Sequence, residues 1–218
     1  MPQPTLKQAP PGFVFDRRLA GGGRYRIVMA GGRLGKMVSA GDITDLSRNM
    51  ADAQAGRMAA LAQDAVEGRI SPAVFQQAMQ SELRNAYNAN AALGKGGFQK
   101  MTAVEYGRNG GILQGEYRNL AQFAQDITDG KLTVAQAQAR ADLYGGKAYS
   151  RYVDEDARRK RESGDFTQEK WVDVGDEREC IDCRGLAARG WVPIGTSPIP
   201  AAGQTQCYGN CRCSLEYR

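Results

Sequence analysis

All five cysteines of this 218-residue chain lie after residue 179, and this clustering constrains the fold more than any other feature. The segment that holds them, residues 165–218, is rich in Gly and Pro and poor in large apolar side chains. A segment of this size and composition buries too little apolar surface to fold by itself, and it usually needs a metal or a disulfide. The sequence therefore predicts a small, cross-linked module at the C-terminal end of the chain.

The spacing of the cysteines favours a metal ion. Cys180 and Cys183 form a C-x2-C pair, which presents two thiolates to one ion, and Cys207, Cys211 and Cys213 can supply the others. Thiolates select zinc over magnesium or calcium. We predict a zinc site with Cys180, Cys183 and Cys211 as ligands and either Cys207 or Cys213 as the fourth. Because four thiolates leave no position for water, the site is expected to be structural.

Four thiolates and one zinc ion carry a net charge of about −2. Three arginines are placed to offset this charge: Arg178, Arg184 and Arg212. Two alternatives to a metal site remain open, namely reduced thiols without a ligand and disulfides formed after cell lysis. A thioredoxin-like redox role is disfavoured, because that C-x2-C motif belongs to an α/β sheet and none is predicted here.

Histidine is absent from the whole chain. Ser-His-Asp triads, Cys-His pairs, imidazole bases and every histidine-containing metal site are therefore excluded. No cluster of acidic residues suggests metal-dependent catalysis instead. We predict that the protein is not an enzyme, which makes a hydrolase or toxin the weakest of the functional hypotheses.

Positive charge is concentrated near the N-terminus. Residues 1–40 hold seven basic residues against the single acid Asp16, whereas the net charge of the whole chain is +5. Such an arm can lie against DNA phosphates or an acidic protein surface, and the alternative is a solvated arm that binds nothing. The residues predicted to make these contacts are Arg17, Arg18, Arg24, Arg26, Arg33 and Lys36.

The fold is predicted to be mainly α, in three parts. Residues 1–40 form a basic extended arm and a short β-hairpin, with strands over 24–30 and 33–38 joined at Gly31 and Gly32. Residues 41–164 form helical hairpins, and residues 165–218 form the cysteine-rich module, with a strand near Trp171. No apolar stretch reaches the roughly 20 residues of a membrane span, and no secretory leader is recognisable, so we expect a cytoplasmic protein.

Capping residues predict where the helices begin. The first helix starts near Asp42 and ends at Gly68, and Ser71-Pro72 starts the second, which ends near Gly94. The third is clear only over 112–127, because Gly107, Gly110 and Gly111 weaken any helix that begins near Thr102. Thr133 and Gln136 cap the fourth, which extends to Gly164. Its basic run, residues 158–161, is interpreted as a solvated helix end in preference to a nucleic-acid contact.

The terminal residues also carry a family resemblance. The sequence Glu-Cys-Ile-Asp-Cys-Arg-Gly-Leu over 179–186, Trp-Val-Pro over 191–193, Gly195 and Cys-Arg-Cys-Ser-Leu over 211–215 resemble the C-terminal signature of phage minor head proteins of the Mu protein F-like family. Residues 24–26 and 33–39 are similar to an N-terminal element of some phage minor head proteins. The family commonly has a His-Pro pair before its Cys-Arg-Cys, where this chain has Tyr208 and Gly209. If that histidine is a ligand in relatives, Cys207 is the natural substitute.

The resemblance implies a structural protein of a tailed-phage head. A few copies would associate with the portal or the major capsid protein, assist head assembly, contact packaged DNA, and act in DNA packaging or ejection. The virion head would be its final location, after assembly in the host cytoplasm. The competing hypothesis is a zinc-containing nucleic-acid-binding protein, whose affinity for DNA would fall steeply with salt.

Overall fold

The computed structural model describes residues 12–15, 24–28, 33–200, 204–207 and 211–218. The prediction of a mainly α protein is confirmed, with a small β-sheet at each end of the helical region. The helices are α1 (Ala40–Val66), α2 (Pro72–Lys95), α3 (Ala103–Thr128), α4 (Val134–Ser163) and α5 (Ile181–Ala188), with a 3-10 turn at Phe98–Lys100. The strands are β1 (Gly12–Phe15), β2 (Arg24–Val28), β3 (Leu34–Ser39), β4 (Gln168–Val172), β5 (Trp191–Pro193) and β6 (Ser214–Tyr217).

The predicted hairpin is present as β2 and β3, which pair antiparallel. A further strand that the sequence reasoning did not predict, β1, pairs with β2, so the N-terminal sheet has the order β1-β2-β3. The predicted turn at Gly31 and Gly32 lies outside the described residues. β1 has only four residues, which is too short for the alternation of a strand to be recognised in the sequence.

The predicted helix starts at Ser71 and Thr133 are confirmed. Ser71 caps α2, with Pro72 at the first helical position, and Thr133 forms a capping box with Gln136 at the start of α4. Ser39, for which no capping role was predicted, forms a second capping box with Asp42 at the start of α1. Each cap satisfies backbone N–H groups that have no partner inside the helix.

One expectation about α3 is wrong. The helix is continuous from Ala103, because Thr102 and Glu105 form a capping box there and the glycines do not interrupt it. A Cβ added at Gly107, Gly110 or Gly111 would meet no atom within 4 Å, so these positions face open space. Packing of the opposite face of α3 therefore outweighs the low helix propensity of glycine, which costs about 1 kcal/mol for each residue relative to alanine.

The main core lies between α1, α2, α3 and α4, the helical domain (residues 40–163). Phe75 of α2 and Phe123 of α3 meet edge to face, with ring centroids 5.2 Å apart, and both are fully buried. Small residues let the backbones approach closely elsewhere. A Cβ at Gly145 would lie 2.4 Å from the Cβ of Ala55, so α1 and α4 touch at this point.

The terminal module (residues 165–218) packs against the C-terminal half of α4. Its sheet has the order β5-β4-β6 and is antiparallel throughout. The Trp171 side chain of β4 is 1% exposed and anchors a second apolar cluster that includes Ala157 of α4. The module thus supplements its scarce apolar residues with a surface of the helical domain. In the part of the chain that the structure describes, no helix is long and apolar enough to cross a membrane.

Candidate metal centre

The C-x2-C pair lies at the start of α5, a helix that the sequence reasoning missed. Cys180 is the N-cap residue, in extended conformation, and Cys183 lies in the first turn. Cysteine is not a preferred capping residue, so the usual sequence signal for a helix start was absent. Asp182 in the first turn and Gly190, with a φ of 65°, just beyond the end were the available signals.

All five cysteines lie among the described residues, and none forms a disulfide. The Sγ of Cys180 is 3.3 Å from that of Cys183, and both are 3.6 Å from the Sγ of Cys207. The Sγ of Cys183 is also 3.7 Å from that of Cys211. Zinc–sulfur bonds of about 2.3 Å in a tetrahedron place the sulfurs about 3.8 Å apart. The observed sulfur separations are therefore close to those of a four-thiolate metal site.

The sulfurs form two overlapping groups that can hold a metal ion. One consists of Cys180, Cys183 and Cys207, the other of Cys183, Cys211 and Cys213, and the ligand atoms within each lie within 4.8 Å of one another. Cys183 belongs to both groups and is therefore the residue on which any choice of four ligands depends. Each of the predicted ligands lies in the cluster, and the choice between Cys207 and Cys213 stays open.

The space at the cluster suits an ion and nothing larger. A cavity of about 20 Å³ lies among the five cysteines, with Val174, Arg178, Glu179 and Arg212 at its edge. Cys183, Cys211 and Cys213 are buried, and the other two are half-buried. An organic substrate needs a pocket of roughly 300 Å³ or more.

Burial and mutual hydrogen bonds oppose the ionisation of three of the thiols and favour that of Cys180. Burial is the main cause that raises the pKa of Cys183 and of Cys207, whereas a hydrogen bond to Cys211 is the main cause that raises the pKa of Cys213. The pKa of Cys180 is lowered, since hydrogen bonds to Cys183 and Cys207 outweigh the effect of its burial. A divalent cation among them would favour the thiolate forms, because metal binding releases the protons of its ligands.

The predicted arginines surround the cluster, but two of them already have acidic partners. Arg212 binds Asp176 through two hydrogen bonds of 2.6 Å, and the Nε of Arg184 lies 3.7 Å from Glu179. Arg178 lies at the edge of the cavity. The positive charge next to the sulfurs is thus partly balanced before any ion is bound.

Two residues of the helical domain support the Cys-Arg-Cys segment. Arg48 of α1 donates a 2.8 Å hydrogen bond to the carbonyl of Arg212 and lies over the ring of Tyr149. The hydroxyl of Tyr149 on α4 donates to the carbonyl of Cys213, at 3.4 Å. Sequence reasoning missed both residues, because each is far from the cysteines in the chain and neither belongs to a recognisable motif.

The basic run of α4 was predicted to be a solvated helix end, and this prediction is wrong. Arg161 binds Glu169 of β4 through two hydrogen bonds of 3.1 Å, and the Glu169 side chain is 0% exposed. Arg161 also donates to the carbonyl of Ser197, and Lys160, itself buried, lies 2.6 Å from Asp156. Arg161 therefore holds the terminal module on α4, and Lys160 also contacts the module, since its Nζ lies 4.5 Å from the centroid of the Tyr217 ring.

Of the six residues predicted to contact DNA or protein, three have side chains outside the described structure. Arg17 and Arg18 lie outside it, as does the side chain of Arg24. Arg26 is half-buried on β2, while Arg33 and Lys36 are exposed at the start of β3 and within it. The structure brings these last three residues to one small sheet, and their role stays a prediction.

Comparison with known proteins adds no relative from which a function could be transferred. No family model, no curated protein and no solved structure matches the chain. Function is therefore inferred from the cysteine cluster and from the residues of the terminal signature.

Proposed function

We propose that this protein is a structural minor head protein of a tailed bacteriophage, associated with the portal or the major capsid protein and acting in head morphogenesis. The resemblance of residues 179–215 to the phage Mu protein F-like signature is the origin of the proposal. The observation that carries it is that the cysteines of that signature, which are distant in sequence, converge on one small cluster. Because the cysteines of the signature come together in one folded unit, the match is more informative than the same residues would be at scattered positions in the structure.

The ion proposed for the cluster is zinc. Thiolate ligands select zinc among the common divalent cations, and the sulfur separations of 3.3–3.7 Å fit a tetrahedral site. Cys183 would be a ligand in either choice of four, with Cys180 and Cys211 beside it. When bound, zinc would supply charge neutralisation and a cross-link between the start of α5 and the Cys-Arg-Cys segment.

The role proposed for this site is structural. A four-thiolate zinc ion has no open coordination position, and the cavity of about 20 Å³ leaves no room for a substrate. Arg48 and Tyr149 hold the Cys-Arg-Cys segment on the helical domain, so the cross-linked module has a defined orientation. A rigid module at one end of a helical body suits a protein that docks on a larger assembly.

The basic N-terminal residues would serve the same assembly. Seven positive charges within residues 1–40 favour an acidic partner, either packaged DNA or a protein surface of the head. The second hypothesis, a zinc-containing nucleic-acid-binding protein, gains no support from α4, because Arg158 and Arg161 are both engaged in ion pairs. We therefore retain the head protein as the proposal.

Mass spectrometry of purified virions and empty procapsids tests this function. The phage that encodes the chain should contain it at a few copies per particle, in both the procapsid and the mature head. A matched preparation of tails, separated from heads, is the control for contamination. Absence of the protein from virions and procapsids alike would refute the assignment.

A further inference from the structure

Strand β6 lies at an edge of the terminal sheet. Among the strands that the structure describes, the order β5-β4-β6 leaves one side of β6 without a neighbour. Gln168 and Arg218 exchange both backbone hydrogen bonds, at 2.9 and 3.0 Å, so alternate residues of β6 bond to β4 and the ones between them point away. Leu215 is one of the latter, and its N–H and C=O have no hydrogen-bond partner among the described residues.

A groove of about 500 Å³ lies beside β6 and extends across the sheet to Trp191 of β5, and all four residues of β6 line it. Its other wall is formed by α1 and α4, and apolar side chains such as Val174 and Trp191 contribute to its surface. The volume lies within the range of roughly 300–1,000 Å³ that is typical of ligand-binding clefts. Unpaired strand edges are the sites at which proteins accept an extended peptide as an additional strand.

The charged residues of the groove indicate which side chains such a peptide would carry. The cations on its walls are paired with acids, because Arg48 lies 3.5 Å from Asp45 and Lys160 lies 2.6 Å from Asp156. Two of the acids in the groove are paired more weakly or not at all among the described residues. Asp173 is half-buried and has no partner in the described part of the chain, and the Glu216 side chain is 57% exposed, with Lys170 3.9 Å away. The groove therefore favours positively charged side chains.

We propose that the groove beside β6 binds an extended segment of a partner protein, in which apolar residues alternate with Lys or Arg, as an additional strand of the terminal sheet. Backbone hydrogen bonds to Leu215 would supply the register, and a basic side chain next to Asp173 would supply selectivity. The groove adjoins the cysteine cavity at Val174 but shares no cysteine with it, and the proposal does not depend on the phage assignment.

A blocked pentapeptide of alternating valine and lysine is the probe, titrated into the full-length, isotopically labelled chain. We expect the amide resonance of Leu215 to shift with the titration. Two N-methylated versions of the peptide, one at the valine amides and one at the lysine amides, test strand addition without any change to the protein. Because only one edge of an added strand faces β6, one isomer should bind at least about tenfold more weakly, and the other should retain its affinity.

A charge reversal tests the selectivity. Asp173→Lys should weaken binding of the lysine peptide severalfold, whereas Asp142→Lys, the same change at an exposed position of α4, should not. A peptide with glutamate in place of lysine should bind more weakly than the lysine peptide. Equal binding of both N-methylated isomers, resonance shifts that exclude β6, or no binding at millimolar peptide would each overturn the proposal.

Discussion

The helical domain and the terminal module bury their interiors in different ways. The core of the helical domain consists of aliphatic and aromatic side chains from four long helices, with Phe75, Leu83 and Leu120 fully buried. The second cluster has seven buried members, and three of them are cysteines, Cys183, Cys211 and Cys213. Cysteines, which can bind an ion, thus make up a large part of the buried interior of the module. The helical domain should fold on its apolar surface alone, whereas the module should depend on its sulfurs.

The difference extends to how the two regions are connected. Helix α4 belongs to both, since its first half lies in the helical core and its last turns carry the ion pairs that hold β4. A change in the module should therefore leave the helices folded, while a change at the end of α4 should affect the module first.

Loss of the ion should have the largest effect. Cys183→Ser removes the ligand shared by both sulfur groups, and structural zinc sites contribute on the order of 10 kcal/mol of apparent binding free energy. We expect bound metal to be lost and residues 165–218 to become sensitive to protease, with the helical circular dichroism nearly unchanged. Ile181→Ser, at a side chain that is 70% exposed on the same helix, is the control and should retain the metal. Unchanged protease resistance in Cys183→Ser would break the contrast.

Breaking the buried ion pair between α4 and β4 should have the next largest effect. Glu169→Gln keeps the size of the side chain but leaves Arg161 without its carboxylate, and the loss of one partner of a buried pair costs about 3–5 kcal/mol. Denaturant unfolding, followed by the fluorescence of the two tryptophans, Trp171 and Trp191 of the terminal sheet, would measure the change. Glu216→Gln, on an exposed carboxylate of β6, should change the free energy of unfolding by less than about 0.5 kcal/mol. Equal effects of the two substitutions would show that the Glu169 pair does not hold the module.

Overpacking between α1 and α4 tests the helical domain alone. In Gly145→Ala the new methyl group would lie 2.4 Å from Ala55, so the helices must separate, at a cost of about 1–3 kcal/mol. Gly111→Ala, where nothing lies within 4 Å, should instead stabilise α3 by up to about 1 kcal/mol. Thermal unfolding gives both values. Metal content should be the same in both variants, and its loss in Gly145→Ala would mean that the two regions are not independent.

The cap of α3 should give the smallest effect, and one that depends on pH. Hydrogen bonds from Lys95 and Thr102 lower the pKa of Glu105 to about 2. Because the unfolded chain binds this proton more tightly, the carboxylate stabilises the fold above about pH 4.5, and the stabilisation is lost as the pH falls toward 2. Glu105→Gln should therefore cost about 1 kcal/mol at pH 7 and only a small fraction of that at pH 2 or below, where the carboxylate of the folded protein is protonated. An effect of equal size at both values of pH would contradict the role of the charge.

Local signals predicted most of the helical domain. Ser71-Pro72 and the Thr133–Gln136 pair act within one turn of chain, and the sequence therefore reveals where α2 and α4 begin. The first half of α3 was predicted only as a weakened helix, because glycine propensity is local, whereas the packing that overrides it comes from other helices. Helix α5 was missed for a related reason, since a cysteine occupies the cap position.

The candidate site was predictable only as far as its cysteines. Soft thiolates at short, regular spacings point to a metal without any knowledge of the fold, so all five cysteines were identified. The supporting residues were not. Arg48 reaches the carbonyl of Arg212, 164 positions away, and Arg161 reaches Glu169 on a strand that exists only once the module has folded. Such contacts follow from tertiary structure and leave no pattern in the sequence.

X-ray absorption at the zinc edge, on protein purified without chelator, tests the central claim most directly. If the sulfurs bind an ion that cross-links the terminal module, the protein should contain about one zinc per chain, with a shell of four sulfurs at about 2.3 Å. Protein that contains no metal and yet keeps residues 165–218 resistant to protease would contradict it.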